Sequence, residues 1–162
     1  MTLNTRPISL TRARLFTISL IRHFERRKWL AYAYPIAFIL QAYLASSGIE
    51  RIRYIGIFGS AIMGVLLIYI LAFYWRFAYS PNNKAFLRAR SYQIDENFIS
   101  THLDDGSVST FNWNRIKEAH ARSQYYLLYT SLTQFIYLTR EAFSSDSDRL
   151  AFESILARRG LI

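Results

Sequence analysis

The chain has 162 residues, 52% of them hydrophobic, a formal net charge of +9 and no cysteine. Disulfides, cysteine-ligated zinc and thiol nucleophiles are therefore excluded. Residues 1–90 hold thirteen Lys/Arg against two Asp/Glu, and residues 91–162 hold seven against nine. The basic excess flanks the apolar segments and leaves the C-terminal part slightly acidic, so no nucleic-acid interface is expected.

Residues 1–28 are expected to form a cytosolic basic amphipathic helix. Thr11 can cap it, and Leu15, Ile18, Ile21 and Phe24 share one side. Arg12, Ser19, His23 and Arg26 fall on the other. Basic residues opposite aliphatic ones describe a helix lying among lipid headgroups, with a solvated helical extension as the plainer alternative. The stretch is too polar, and the apolar run starts too late, for a cleaved signal peptide.

Residues 29–47 supply a first transmembrane segment of roughly the 20 residues needed to cross the hydrocarbon core. It contains Pro35, a candidate kink, and Gln41, best explained as a hydrogen-bonding contact to a neighbouring helix. Residues 54–75 supply a second, without a charge. Gly56, Ser60 and Gly64 recur every four residues on one face, where small side chains let a second backbone come close. Packing on the first span is expected there, with a homo-oligomer of the same face as the alternative.

The short linker at 48–53 makes the two spans antiparallel. Arg22, Arg26, Arg27 and Lys28 precede the first span, and Arg76, Lys84, Arg88 and Arg90 follow the second. The linker has only Arg51 and Arg53, offset by Glu50. The positive-inside rule then places both termini in the cytosol. The basic residues at that surface point to a bilayer with anionic headgroups as a partner.

After a basic linker at 76–90, residues 91–162 are expected to form a cytosolic β-rich domain. Short runs around Ser91–Asp95, Phe98–Leu103, Ser107–Phe111, Tyr125–Tyr129 and Phe135–Leu138 are separated by turn signals, including Asp104-Asp105-Gly106 and Ser131–Gln134. Ser145 or Ser147 can cap a final helix that Gly160 stops, with Leu150, Phe152, Ile155 and Leu156 as its apolar stripe. The fold class expected is an α+β membrane protein: a two-helix hairpin plus a small barrel or curved sheet closed by a C-terminal helix, the order of a pleckstrin-homology-like domain.

Two spans followed by a strand meander resemble the YcxB-like family of bacterial membrane proteins. The residues that carry the resemblance are Val108–Ile116, Tyr125–Tyr129 and Phe135–Phe143, with Phe152 in the last helix and Leu10-Thr11 near the start. Thr139 stands where the family pattern tends to have proline. The resemblance implies the architecture and a bacterial cell membrane, and brings no activity with it.

No catalytic, cofactor-binding or metal-binding residue is expected. His23, His102 and His120 are scattered without metal-ligand spacing. Asp95-Glu96 and Asp104-Asp105 fall at turns, where carboxylates serve the backbone. Trp113, Tyr125, Tyr126 and Tyr129 are either sheet core, the preferred reading, or an interaction surface. The expected function is a non-enzymatic membrane-anchored interaction or scaffold module with a protein partner. Anionic-lipid sensing and immunity against a membrane-active toxin are the alternatives.

Overall fold

The computed structural model describes residues 2–131 and 134–162. The expected turn at Ser131–Gln134 contains Leu132 and Thr133, which lie outside the described residues. The chain is α+β and divides into two compact units, residues 12–83 and residues 84–162 together with the N-terminal segment through Thr11.

The helical unit contains α1 (Arg12–Arg26), α2 (Lys28–Ala45) and α3 (Glu50–Tyr79). A 3₁₀ turn at Pro81–Asn83 ends it. Four residues, Ser46–Ile49, connect α2 to α3, so the two helices run antiparallel. Thirty residues give α3 a length of about 45 Å, longer at both ends than the span expected at 54–75. Among the described residues α3 alone is both long and apolar enough to cross a membrane. With 18 residues, α2 is shorter, and Lys28, Pro35 and Gln41 interrupt its apolar character.

The second unit contains β1 (Leu3–Asn4), a short α4 (Lys84–Leu87), β2 (Arg90–Ile94), β3 (Phe98–Leu103) and β4 (Val108–Asn112). It continues with β5 (Glu118–Ala121), β6 (Tyr125–Tyr129), β7 (Phe135–Thr139) and α5 (Asp146–Arg158). Two antiparallel sheets result, one in the order β1-β2-β3-β4 and one in the order β5-β6-β7. Alternation along each strand sends one set of side chains inward. Tyr92, Ile94 and Ile99 from the first sheet meet Tyr126, Leu128, Ile136 and Leu138 from the second. Phe152, Ile155 and Leu156 of α5 complete this core. Gly106 makes the β3–β4 turn at φ 80°, a left-handed conformation that glycine adopts without steric cost.

One element differs from expectation. Residues 1–28 are not all helix, because the first ten belong to the β unit. Leu3 and Ile8 are core residues, and Thr5 is also buried. The Thr5 amide donates to the Tyr92 carbonyl at 2.9 Å, and the Arg6 amide donates to the Ala142 carbonyl at 2.7 Å. The N-terminal segment thus stitches the first sheet to the turn after β7. Its signal is a two-residue alternation, Leu3/Thr5 and Ile8/Leu10, interrupted by Pro7.

Candidate functional site

In the helical unit α1 packs on the C-terminal end of α3 through aromatic and cationic side chains. The Arg12 guanidinium lies 5.3 Å from the centre of the Tyr79 ring. Phe16 meets Trp75 edge-on at 5.9 Å, and Trp75 stacks on Tyr79 at 4.3 Å. One turn earlier on α3, the Tyr74 hydroxyl shares a 3.0 Å hydrogen bond with His23 Nδ1. Burial and the nearby Arg27 charge hold His23 below its ordinary pKa.

This packing corrects part of the expected polar face of α1. Leu15 and Ile18 of the expected apolar stripe are the buried residues of α1 and Ile21 is exposed, while Arg12 and His23, expected to face headgroups, contact Tyr79 and Tyr74 of α3. The physical reason is the row Tyr74, Trp75 and Tyr79, whose ring faces and hydroxyl satisfy a guanidinium and an imidazole better than aliphatic side chains can. Arg26, Arg27, Lys28 and Arg76 remain exposed, and Arg22 is half-buried.

The α2–α3 seam keeps Gly56 of the expected small-residue set and departs from the rest of it. A Cβ on Gly56 would run into the backbone of Leu44 and Ala45, so that approach requires glycine. Gly59 lies under the Gln41 amide, whose Oε1 is buried without a hydrogen-bond partner. Gly64 has open space where a side chain would stand, so it takes no part in the close approach, and Ser60 is half-buried. The seam therefore follows Gly56 and Gly59, three residues apart, instead of a strict four-residue step.

In the β unit, Trp113, Tyr126 and Tyr129 are buried, and only Tyr125 is partly exposed. The Trp113 indole donates to the Asp95 carbonyl at 2.8 Å, and the Arg159 guanidinium covers its ring at 5.1 Å. Tyr126 sits edge-on to Phe152 at 5.2 Å and donates its hydroxyl to Glu153. Burial, then that carboxylate, pushes the Tyr126 hydroxyl up from its ordinary pKa. Arg149 and Arg140 flank Glu153 at 3.1 and 3.7 Å. Trp113 and Tyr126 belong to the core that joins the two sheets and α5, whereas Tyr129 packs edge-on to His120 at 5.5 Å and against Phe135 at 5.7 Å within its own sheet.

Residues 94–156 match the family model described as YcxB-like protein. This segment is similar to that family. It begins at the last residue of β2 and runs into the last turn of α5, so it takes in most of the β unit and none of the helical one. No curated protein and no solved structure matches the chain.

The carboxylates of the YcxB-like segment serve turns and ion pairs. Asp95 Oδ1 accepts from the amides of Asn97 and Phe98, both at 2.7 Å. Asp105 accepts from the Ser107 amide at 3.0 Å and from its hydroxyl at 2.6 Å, and pairs with Arg88. The Ser107 hydrogen bonds, helped by Arg88, hold the Asp105 carboxyl below its usual range. Glu118 pairs with His120 at 2.6 Å. Among the described residues no group of three or more His, Asp or Glu side chains is arranged to hold a metal ion. β4 ends its sheet, pairs with β3 alone, and exposes Val108, Ser109 and Thr110.

Proposed function

We propose that the protein is a non-enzymatic integral protein of the bacterial cell membrane whose YcxB-like β unit serves as a cytosolic interaction module. The observation that carries this reading is α3. Thirty residues long, it leaves Phe58, Ile62, Val65, Ile68 and Tyr69 exposed, with almost none of its apolar stretch buried inside the protein. Such a surface in water would be strongly unfavourable, at about 25 cal/mol per Å² of apolar area, whereas in a bilayer it faces its own kind of solvent.

In this reading α2 crosses beside α3, since Trp29, Ile36, Phe38, Ile39 and Tyr43 are also exposed. Arg22, Arg26, Arg27, Lys28 and Arg76 mark the cytosolic side and bring both termini there. Four plus three antiparallel strands with a C-terminal helix agree with a pleckstrin-homology-like order. Since the aromatic cluster is buried, the interaction site is the free edge of β4, where an extended segment of a protein partner adds as a further strand. Natural edges are often blunted by charge or proline, and Val108–Asn112 has neither.

The test is crosslinking of the tagged protein in its native membrane, with the Val108→Lys/Thr110→Lys variant beside it. A partner captured by the original chain and lost from a correctly folded variant supports the module. Equal capture by both excludes the β4 edge, and release of the chain from membranes by alkaline carbonate overturns the anchoring.

A further inference from the structure

We infer that Arg26, Arg27, Lys28 and Arg76 form a collar that docks the phosphate headgroups of anionic phospholipids, held at a set height by the packing of α1 on α3. The inference rests on the reading of α2 and α3 as membrane spans. It goes beyond it in giving these charges a specific lipid partner, beyond their effect on orientation.

The geometry is that of one end of the helical unit. α1 ends at Arg26, Arg27 forms the bend, and α2 starts at Lys28, so three consecutive cations lie at the root of the first span. The contacts of Arg12 with Tyr79, Phe16 with Trp75 and His23 with Tyr74 bind α1 to the stretch of α3 that carries Arg76. Glu25 is the one acidic residue in 12–49, and Glu50, the one acid of α3, stands at the opposite end. Exposed Trp29 and Trp75 flank the cations, and indole rings favour the headgroup level of a bilayer. A patch of net positive charge at that level, with Glu25 as its one acid and bordered by interfacial aromatics, is complementary to a surface of anionic headgroups.

The experiment uses the full chain in nanodiscs of equimolar phosphatidylglycerol and phosphatidylcholine, with the retained lipid identified by native mass spectrometry. Three proteins are compared: the original, Arg26→Gln/Arg27→Gln/Lys28→Gln, and the far-end control Arg51→Gln/Arg53→Gln. We expect the original and the control to retain phosphatidylglycerol preferentially. The triple variant should lose the preference by about tenfold or more, given the attraction of each basic residue to an anionic surface. High salt should weaken retention by the original. Equal retention by all three would overturn the inference while leaving the spans in place. Failure of the chain to enter nanodiscs at all would overturn the spans, and the collar with them.

Discussion

Ile8 and Arg90 exchange two backbone hydrogen bonds, each amide donating to the other's carbonyl at 2.8 and 2.9 Å. All of α1, α2 and α3 lies between them in sequence. The helical unit is therefore an insertion between two strands that are neighbours in one sheet: β1 runs out, and β2 returns antiparallel to it with Leu3 opposite Ile94. Ile8–Arg90 is the neck of a long hairpin loop whose content is the helical unit.

From this neck it follows that the helices can be cut out without harming the β unit. Replacing residues 12–83 with a short Gly/Ser linker should give a soluble, cooperatively folding protein. Removing residues 2–11 from that same protein should unfold it, because the sheet loses its first strand and the core loses Leu3 and Ile8. Within the linked protein Leu3→Ala should cost about 2–5 kcal/mol, the usual range for a buried leucine. Urea unfolding measures all three, and an unchanged midpoint in the Leu3→Ala variant would sink the account of the neck.

The strands β2, β3, β4, β6 and β7 and the final helix were legible because each carries a local signal. Gly106 supplies the turn it implies, and the Ser145 side chain accepts from the Asp148 amide at 3.1 Å as an N-cap should. Residues 3–10 hid their role because their partner strand is far away in sequence, and the period-two pattern of Leu3, Thr5, Ile8 and Leu10 breaks at Pro7. Leu15 and Ile18 are buried as the stripe implies, but Arg12 and His23 on the polar side were misjudged for a related reason. Periodicity separates Arg12 and His23 from the aliphatics, but only the aromatic row on α3 makes that polar side a packing side.

The helix seam gives a prediction in which chemically identical changes have opposite outcomes. Gly56→Ala places a methyl group against the Leu44 and Ala45 backbone, where no flexible side chain can yield. It should destabilise the α2–α3 pair by about 1–3 kcal/mol, the range for overpacking. Gly64→Ala meets nothing within 4 Å, and should be neutral or slightly stabilising, since alanine favours helix. Helix-pair unfolding in mixed micelles reports both. Equal sensitivity at the two positions would contradict the seam described here.

Tyr92 provides an alkaline limit to the stability of the β unit. The side chain is almost wholly buried, and burial pushes its hydroxyl up to about 12 against the opposing pull of Arg90. A folded pKa above the unfolded value of 10.0 means that this contribution is fully present below pH 10. It is then lost as pH rises toward 12, because the unfolded chain gives up the proton first. Two units correspond to about 2–3 kcal/mol at most. In the linked soluble protein, stability should therefore fall across pH 10–12, and Tyr92→Phe should flatten that fall. A variant with the same slope as the original would show that Tyr92 does not set it.

The absence of cysteine makes the orientation of the hairpin directly readable from single introduced thiols. Ser47 lies in the connection between α2 and α3, and Ser147 is in the first turn of α5. Neither is needed by the core, and Ser147 is exposed. If both termini are cytosolic, Ser47→Cys in intact cells should react with a maleimide that cannot cross the membrane. Ser147→Cys should react only after the cells are opened. The flanking charge makes the opposite pattern unfavourable, since Arg22, Arg26, Arg27, Lys28 and Arg76 would then have to cross, against only Arg51 and Arg53 in the expected arrangement. Labelling of Ser147→Cys in intact cells would invert the topology and remove the β unit from the cytosol. Protection of both positions in intact cells would place the α2–α3 connection on the cytosolic side and leave α2 and α3 short of a crossing.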